Sequence, residues 1–236
     1  MNAENEIIDS ARKLLSGSFQ GILSTHSIEF PGYPIGSLLP YSLDRHGWPL
    51  LLISHLAKHT RNLNADPRCS LTVAEQSPGE TQTLTRLCCL ADANPVWDLD
   101  MAAAERHFRY FPESRTYYRE LNFNFYRLQP VRFYCVAGFG AARWISIGRM
   151  EAKNPFTYEE EDSLLADINR QFGVSLNKRL ALQTDPEKLL PAVGLDATGL
   201  DLRQHDRLLR LTLPAPAASP QAFLSLLAET LQHKYP

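Results

Sequence analysis

The sequence predicts an α+β protein: an antiparallel β-barrel of about six strands over residues 1–150, then a small α/β domain over residues 151–236. Three observations carry this. Apolar runs of strand length follow one another through the first part, separated by turn residues. Helical spacing of apolar residues is brief there. From about residue 150 the pattern changes to longer helical stretches alternating with short strands.

The elements follow in order. Ile7, Ile8, Ala11, Leu14 and Leu15 share one face of a helix over 5–16, which Ser16-Gly17-Ser18 ends. Strand-like runs cover 19–25, 34–41 and 49–53. Asp44-Arg45-His46-Gly47 reads as a hairpin turn in which Gly47 is free to take positive φ. Leu56, Ala57, Thr60 and Leu63 suit a short helix over 55–66, stopped by Asp66-Pro67. Two more strands are expected at 69–75 and 81–93, then a helix at 98–110, a short helical turn at 117–121, and strands at 123–128 and 132–139. Glu159-Glu160-Glu161-Asp162 places negative charge at the start of a helix, as the helix dipole favours, and that helix is expected to end near Phe172. A second helical stretch is expected at 175–183, strands at 189–195, 200–202 and 208–213, a Pro/Ala linker at 214–220, and a final amphipathic helix at 220–233.

Bulk properties narrow the function. A chain of 236 residues with a net charge of -2 is neither a typical nucleic-acid binder nor a disordered tail. The four cysteines, Cys69, Cys88, Cys89 and Cys135, form no C-x-x-C pair and are expected as reduced, packed thiols. The polar, acidic N-terminus is not a secretory signal, and no window has the length of a membrane span, so a cytoplasmic location is expected.

The chemistry is expected around Ile53-Ser54-His55-Leu56-Ala57-Lys58-His59-Thr60-Arg61-Asn62, where a strand ends and a helix begins. Backbone N–H groups at a helix start attract anions. Ser54 and Thr60 add hydroxyls, and Lys58 and Arg61, three apart, put two positive charges on one face. This grouping suits a phosphate; the plainer reading is a solvated basic loop. Arg86, within an otherwise apolar strand, needs an acid or a bound anion. His55 and His59 have helical spacing but no third ligand nearby, so no metal is expected. Aromatic residues from Phe108 to Tyr126 alternate with Arg106, Arg109, Arg115 and Arg119; the weak net charge favours an interface or a core edge over nucleic-acid stacking. His233, near the end of the chain, is either an exposed capping residue or a ligand.

Several stretches carry a family resemblance: Gly21-Ile22-Leu23-Ser24-Thr25, Ile53 to Leu63, Ala65-Asp66-Pro67-Arg68-Cys69, Arg86-Leu87, Arg109-Tyr110-Phe111-Pro112 and Val136-Ala137-Gly138-Phe139-Gly140. In these the chain resembles the pyridoxamine-phosphate-oxidase-like split barrels, and within them the haem-utilisation branch. Residues 194–202 look like the small α/β domain appended there. The resemblance implies a six-stranded split β-barrel that forms a homodimer with its cofactor at the subunit interface. It assigns an FMN phosphate to Ser54, Lys58, His59, Thr60 and Arg61, with Arg86 on the pocket wall. In the haem-using branch it implies a C-terminal His as haem ligand, which is His233 here. The chain departs from that branch where Asn122-Phe123 replaces Asp-Phe and where Asp167-Ile168-Asn169-Arg170 lacks the branch's histidines.

Three functions follow as expectations. The first is an FMN-binding, oxidoreductase-like protein in which the flavin carries the redox chemistry. The second is a haem-binding or haem-degrading protein using His233. The third is a cofactor-free dimeric binding module. No general base and no substrate are legible.

Overall fold

The computed structural model of the chain describes residues 3–76, 80–138, 141–180 and 190–232. Its helices are α1 (Ala3–Gly17), α2 (Lys58–Ala65), α3 (Met101–Tyr110), α4 (Ser114–Glu120), α5 (Ile147–Met150), α6 (Tyr158–Arg179) and α7 (Pro220–Gln232). Its strands are β1 (Gln20–His26), β2 (Pro34–Pro40), β3 (Ser42–Leu43), β4 (Pro49–Ser54), β5 (Arg68–Ala74), β6 (Arg86–Pro95), β7 (Phe123–Val136), β8 (Ala142–Ile145), β9 (Ala192–Asp196), β10 (Gly199–Gln204) and β11 (Arg207–Thr212). Two compact units result, Met1–Leu99 with Glu113–Lys153, and Asp100–Pro112 with Asn154–Pro236. The chain therefore passes between units at 99/100, 112/113 and 153/154.

The first unit is one antiparallel sheet in the order β2-β1-β5-β6-β7-β4-β3, with β8 paired to β7. Alternation along the strands decides what is inside. Leu23, Leu71, Val73, Leu87, Cys89, Phe133 and Cys135 all point into one core, where α1 adds Ile7, Ile8, Ala11 and Leu15. Each such aliphatic side chain contributes about 1.5–3 kcal/mol by leaving water. Gly21 has no alternative: a Cβ there would lie 2.9 Å from the Thr72 carbonyl oxygen. In the β3–β4 hairpin the Asp44 carboxylate accepts from the His46 and Trp48 backbone N–H groups, and Gly47 takes φ +81°.

Three expectations shift here. The sheet has eight strands rather than about six. The strands expected at 123–128 and 132–139 are one strand, β7. Pro130 offers no N–H, and a bulge absorbs it: Ala91 pairs with Pro130 and Leu90 with Arg132, leaving Val131 extra. Residues 81–83 form a 3₁₀ turn in which Thr83 donates from both its N–H and its hydroxyl to the Glu80 carbonyl. Side-chain competition of this kind delays the strand to Arg86.

The second unit is a three-stranded sheet, β11-β10-β9, packed with α3, α6 and α7. Phe156, Leu164, Ile168, Leu195, Leu200, Leu202, Phe223 and Leu227 form its apolar core. A capping box starts α6: the Thr157 hydroxyl accepts from the Glu160 N–H, and the Glu160 carboxylate accepts from the Thr157 N–H. The helix then runs past Phe172 to Arg179. Gly173 costs about 1 kcal/mol in a helix interior, but Ile168 and Leu176 are buried on either side of it and keep the helix intact.

Strand β9 is an edge covered by side chains rather than by another strand. Asn169 accepts from the Ala192 N–H and donates to its carbonyl; Arg109 donates to the Val193 carbonyl; Glu161 accepts from the Leu195 N–H, and Asn154 donates to the Leu195 carbonyl. Around it lies a buried charged network. Arg106 donates to Glu161 at 2.9 Å, the Tyr110 hydroxyl donates to Asp201 at 2.7 Å, and Arg210 bridges Asp201 and Asp196 at 2.8 and 2.6 Å. Gly194 admits the Tyr110 ring, since a Cβ there would sit 1.8 Å from its hydroxyl oxygen. Burial pushes the Asp201 carboxyl upward, and Arg210 offsets only part of that rise. Two of the four arginines of the aromatic segment read from sequence are thus spent inside this unit, Arg106 on Glu161 and Arg109 on Glu161 and Asp162, while Arg115 and Arg119 lie on α4 in the first unit.

Candidate functional site

The strand-to-helix turn after β4 forms as its residues dictate. Ser54 ends β4, and its hydroxyl accepts from the Leu56 N–H at 3.2 Å. The Thr60 hydroxyl is buried and donates to the Ser54 carbonyl at 2.6 Å, closing the turn. Ala57 caps α2 without a side-chain acceptor, so the first-turn N–H groups receive no help from a cap. Lys58 and Arg61 do share a face, and both reach the same partner. The Lys58 Nζ lies 2.8 Å from Glu29 Oε2, and Arg61 Nη2 lies 3.9 Å from Glu29 Oε1. Lys58, through a hydrogen bond and its charge, holds the Glu29 carboxyl below the usual carboxylate range.

His59 turns inward. Its Nδ1 lies 3.3 Å from the Ser37 hydroxyl, and its Nε2 is buried with no hydrogen-bond partner among the described residues. Burial lowers its pKa, so it stands as neutral imidazole. His55 precedes the helix, is exposed, and meets the Asn122 carbonyl at 3.1 Å. The two histidines therefore do not share a helix face, and the spacing-based metal pair dissolves. Among the described residues no three His, Cys, Asp or Glu side chains gather as a metal set.

Arg86 is not brought to this turn within one chain. It is the exposed first residue of β6 rather than a mid-strand residue, and it pairs with Val136, whereas Ser54 pairs with Phe123. Those partners are the two ends of β7, separated by roughly 40 Å of strand. His233 lies outside the described residues.

A second feature of the first unit escaped the sequence reading. A cleft of about 440 Å³ opens between α1, β8 and α5, lined by Ile7, Ile8, Ile145, Trp144 and the three arginines 132, 143 and 149, with Glu4 at its edge. Arg149 is held by Asn5 and Glu4. Arg132 and Arg143 have no hydrogen-bond or ion-pair partner among the described residues. Trp144 is 57% exposed and packs on Tyr134, with ring centroids 4.9 Å apart. The signal for it was the outward alternation of Arg132, Tyr134 and Trp144 on neighbouring strands. That alternation becomes visible only once the β7 bulge sets the register.

Trp144 also ends a row of paired residues across the outer face of the sheet: Leu38, Ile22, Thr72, Cys88, Tyr134, Trp144. Leu38 is 70% and Ile22 47% exposed, so this face is unusually apolar for the solvent side of an antiparallel sheet.

The match to the family described as "CREG, beta-barrel" runs over residues 2–154. The chain belongs to this family. It is 34% identical over 135 residues to the non-canonical heme oxygenase HOZ, chloroplastic, of Arabidopsis thaliana, a match covering 57% of this chain and 41% of that protein. It is 27% identical over 132 residues to the heme oxygenase HutZ of Vibrio cholerae, covering 52% of this chain and 73% of the relative. The chain thus matches less than half the length of the plant protein. Among solved structures, the protein Atu2129 (unknown function) of Agrobacterium tumefaciens shares the fold with a TM-score of 0.76 at 21% identity, over 95% of this chain and 94% of that one. A heme binding protein from Mycobacterium smegmatis matches with a TM-score of 0.57 at 26% identity, over 98% and 97%. These relatives place the family member in the haem-utilisation branch of the pyridoxamine-phosphate-oxidase-like split barrels. The two curated relatives and the mycobacterial protein are named for heme, whereas the sequence put flavin first. No described helix is long and apolar enough to cross a membrane.

Proposed function

We propose that this CREG-family protein binds haem in the cleft between α1, β8 and α5, with a second copy of the chain covering the outer sheet face. The observation that carries the reading is a cleft lined by Ile7, Ile8 and Ile145 that also holds Arg132 and Arg143, which lack protein partners among the described residues. Two guanidinium groups suit the two carboxylates of a flat apolar ring, and the three isoleucines offer that ring an apolar wall. Arg149, fixed by Asn5 and Glu4, frames the cleft without competing for the ligand. None of the residues lining the cleft is a customary iron ligand. The iron ligand in this reading is the one that the family resemblance implies, His233, and it stands apart from what the cleft itself shows. Bound haem would supply redox chemistry at iron; the chain's residues bind, orient and shield it. The Leu38–Ile22–Trp144 face supports the homodimer, since a second copy would bury it.

The test is a haemin titration followed by the Soret band. Arg132→Ala with Arg143→Ala is expected to weaken binding about tenfold or more, because each loses a charge-assisted hydrogen bond. His233→Ala is expected to shift the band. Wild-type affinity in the double variant would remove the cleft from the reading. Light scattering reads the assembly: a monomer in solution would remove the second copy.

A second reading keeps FMN on Ser54, Lys58, His59, Thr60 and Arg61, supported by the shared face of Lys58 and Arg61. In it Arg86 would have to come from the other copy.

A further inference from the structure

We propose that Glu29 is an internal anion: it occupies the Lys58–Arg61 pair and competes there with phosphate-bearing ligands, weakening their hold on the start of α2. The inference rests on the second reading of that turn, not on the haem cleft. Glu29 sits on the loop between β1 and β2, and its two carboxylate oxygens face the two cations separately, at 2.8 Å to Lys58 and 3.9 Å to Arg61. A phosphate would have to make those same contacts.

The loop is not placed by this surface pairing alone. The Ile28 N–H, one residue before Glu29, donates to the Oδ1 of Asn62, which is buried and sits one turn along the same helix. The Asn62 Nδ2 donates to the Thr25 hydroxyl at the end of β1, and the Ser27 hydroxyl accepts from the Phe30 N–H. The buried amide thus locks the loop's register, and the register sets Glu29 over the cations. With the carboxylate in place, the turn carries one net positive charge instead of two. An incoming phosphate meets a negative group where it needs a positive one.

The experiment titrates FMN, and separately riboflavin, which lacks the phosphate, into the wild-type full chain and Glu29→Gln, following flavin fluorescence. Circular dichroism checks that both are folded. FMN affinity is expected to rise about fivefold in Glu29→Gln, the scale of one exposed ion pair, and the gain should fade in high salt. Riboflavin affinity should not change. Adding Lys58→Ala and Arg61→Ala to Glu29→Gln should abolish the gain. Equal FMN affinity in the two proteins, an equal gain for riboflavin, or no FMN binding by either protein overturns the proposal. Haemin titrated into the same proteins reads the cleft by itself. Failure there sinks the haem reading and leaves the flavin result standing.

Discussion

The two units of this chain reach stability by opposite means. The barrel is organised by apolar alternation: its inward row is leucine, valine, phenylalanine and cysteine, and most of its charged pairs lie at the surface, as with Lys58 and Glu29, the pair of Arg127 with the buried Asp44 side chain excepted. The second unit surrounds an apolar core with buried ions. Glu161 is 1% exposed and serves Arg106, Arg109 and the Leu195 N–H at once. Apolar packing tolerates small errors of geometry, because contact is non-directional. A buried ionic network does not, since each group left unpaired keeps its full desolvation cost. The first unit should therefore lose stability in proportion to volume removed, and the second in steps as single polar atoms are removed.

Four measurements break or sharpen that contrast. The largest effect is expected in the barrel. Phe133→Ala removes a fully buried ring and should cost about 3–5 kcal/mol in urea unfolding, confined to the transition of the first unit. Next comes Glu161→Gln, which leaves two arginines facing a neutral amide. A loss of about 3 kcal/mol is expected, in the second unit alone, and the paired replacement of Arg106 and Glu161 by apolar residues should recover much of it. If the single and paired variants are equally unstable, the network is not what distinguishes this unit.

The third is a pH experiment. Burial, with Arg106 beside it, lowers the pKa of His107 to about 3. The unfolded chain takes up that proton near its ordinary pKa and the native unit does not. Stability is thus fully present above pH ~6.5 and falls by about 1.4 kcal/mol per pH unit as pH drops toward 3. Acid melts should begin in the second unit, and His107→Gln should flatten the dependence. The smallest effect is at the capping box: Thr157→Ala should cost about 1 kcal/mol. The barrel's α2, capped by Ala57 with no side-chain acceptor, has no such bond to lose.

What was legible in the sequence follows the same division. Local signals carried well: the α1 face, the Asp44–Gly47 turn and the acidic start of α6 each depend on residues a few positions apart. The shared face of Lys58 and Arg61 was legible for the same reason. Long-range partners were not. Arg106 pairs with Glu161 across 55 positions and Tyr110 with Asp201 across 91, so nothing near α3 showed that it packs with the second unit rather than the barrel around it in sequence. The bulge at Pro130 hid the register that gathers the cleft. Glu29 was invisible because a loop, not a motif, carries it to the cations.

The placement of α3 has a consequence for how the protein is made. Tyr110 leaves the ribosome 91 residues ahead of Asp201. At ~5–20 residues per second the helix waits about 5–20 s for the groups that neutralise it. During that interval the strands on either side of it are already able to pair, and they hold it out as a loop with Arg106, His107 and Phe108 uncovered. A nascent chain stalled in this window would be a nearly finished barrel carrying one basic, aromatic helix with nowhere to dock. That is the species a chaperone or a protease would meet first.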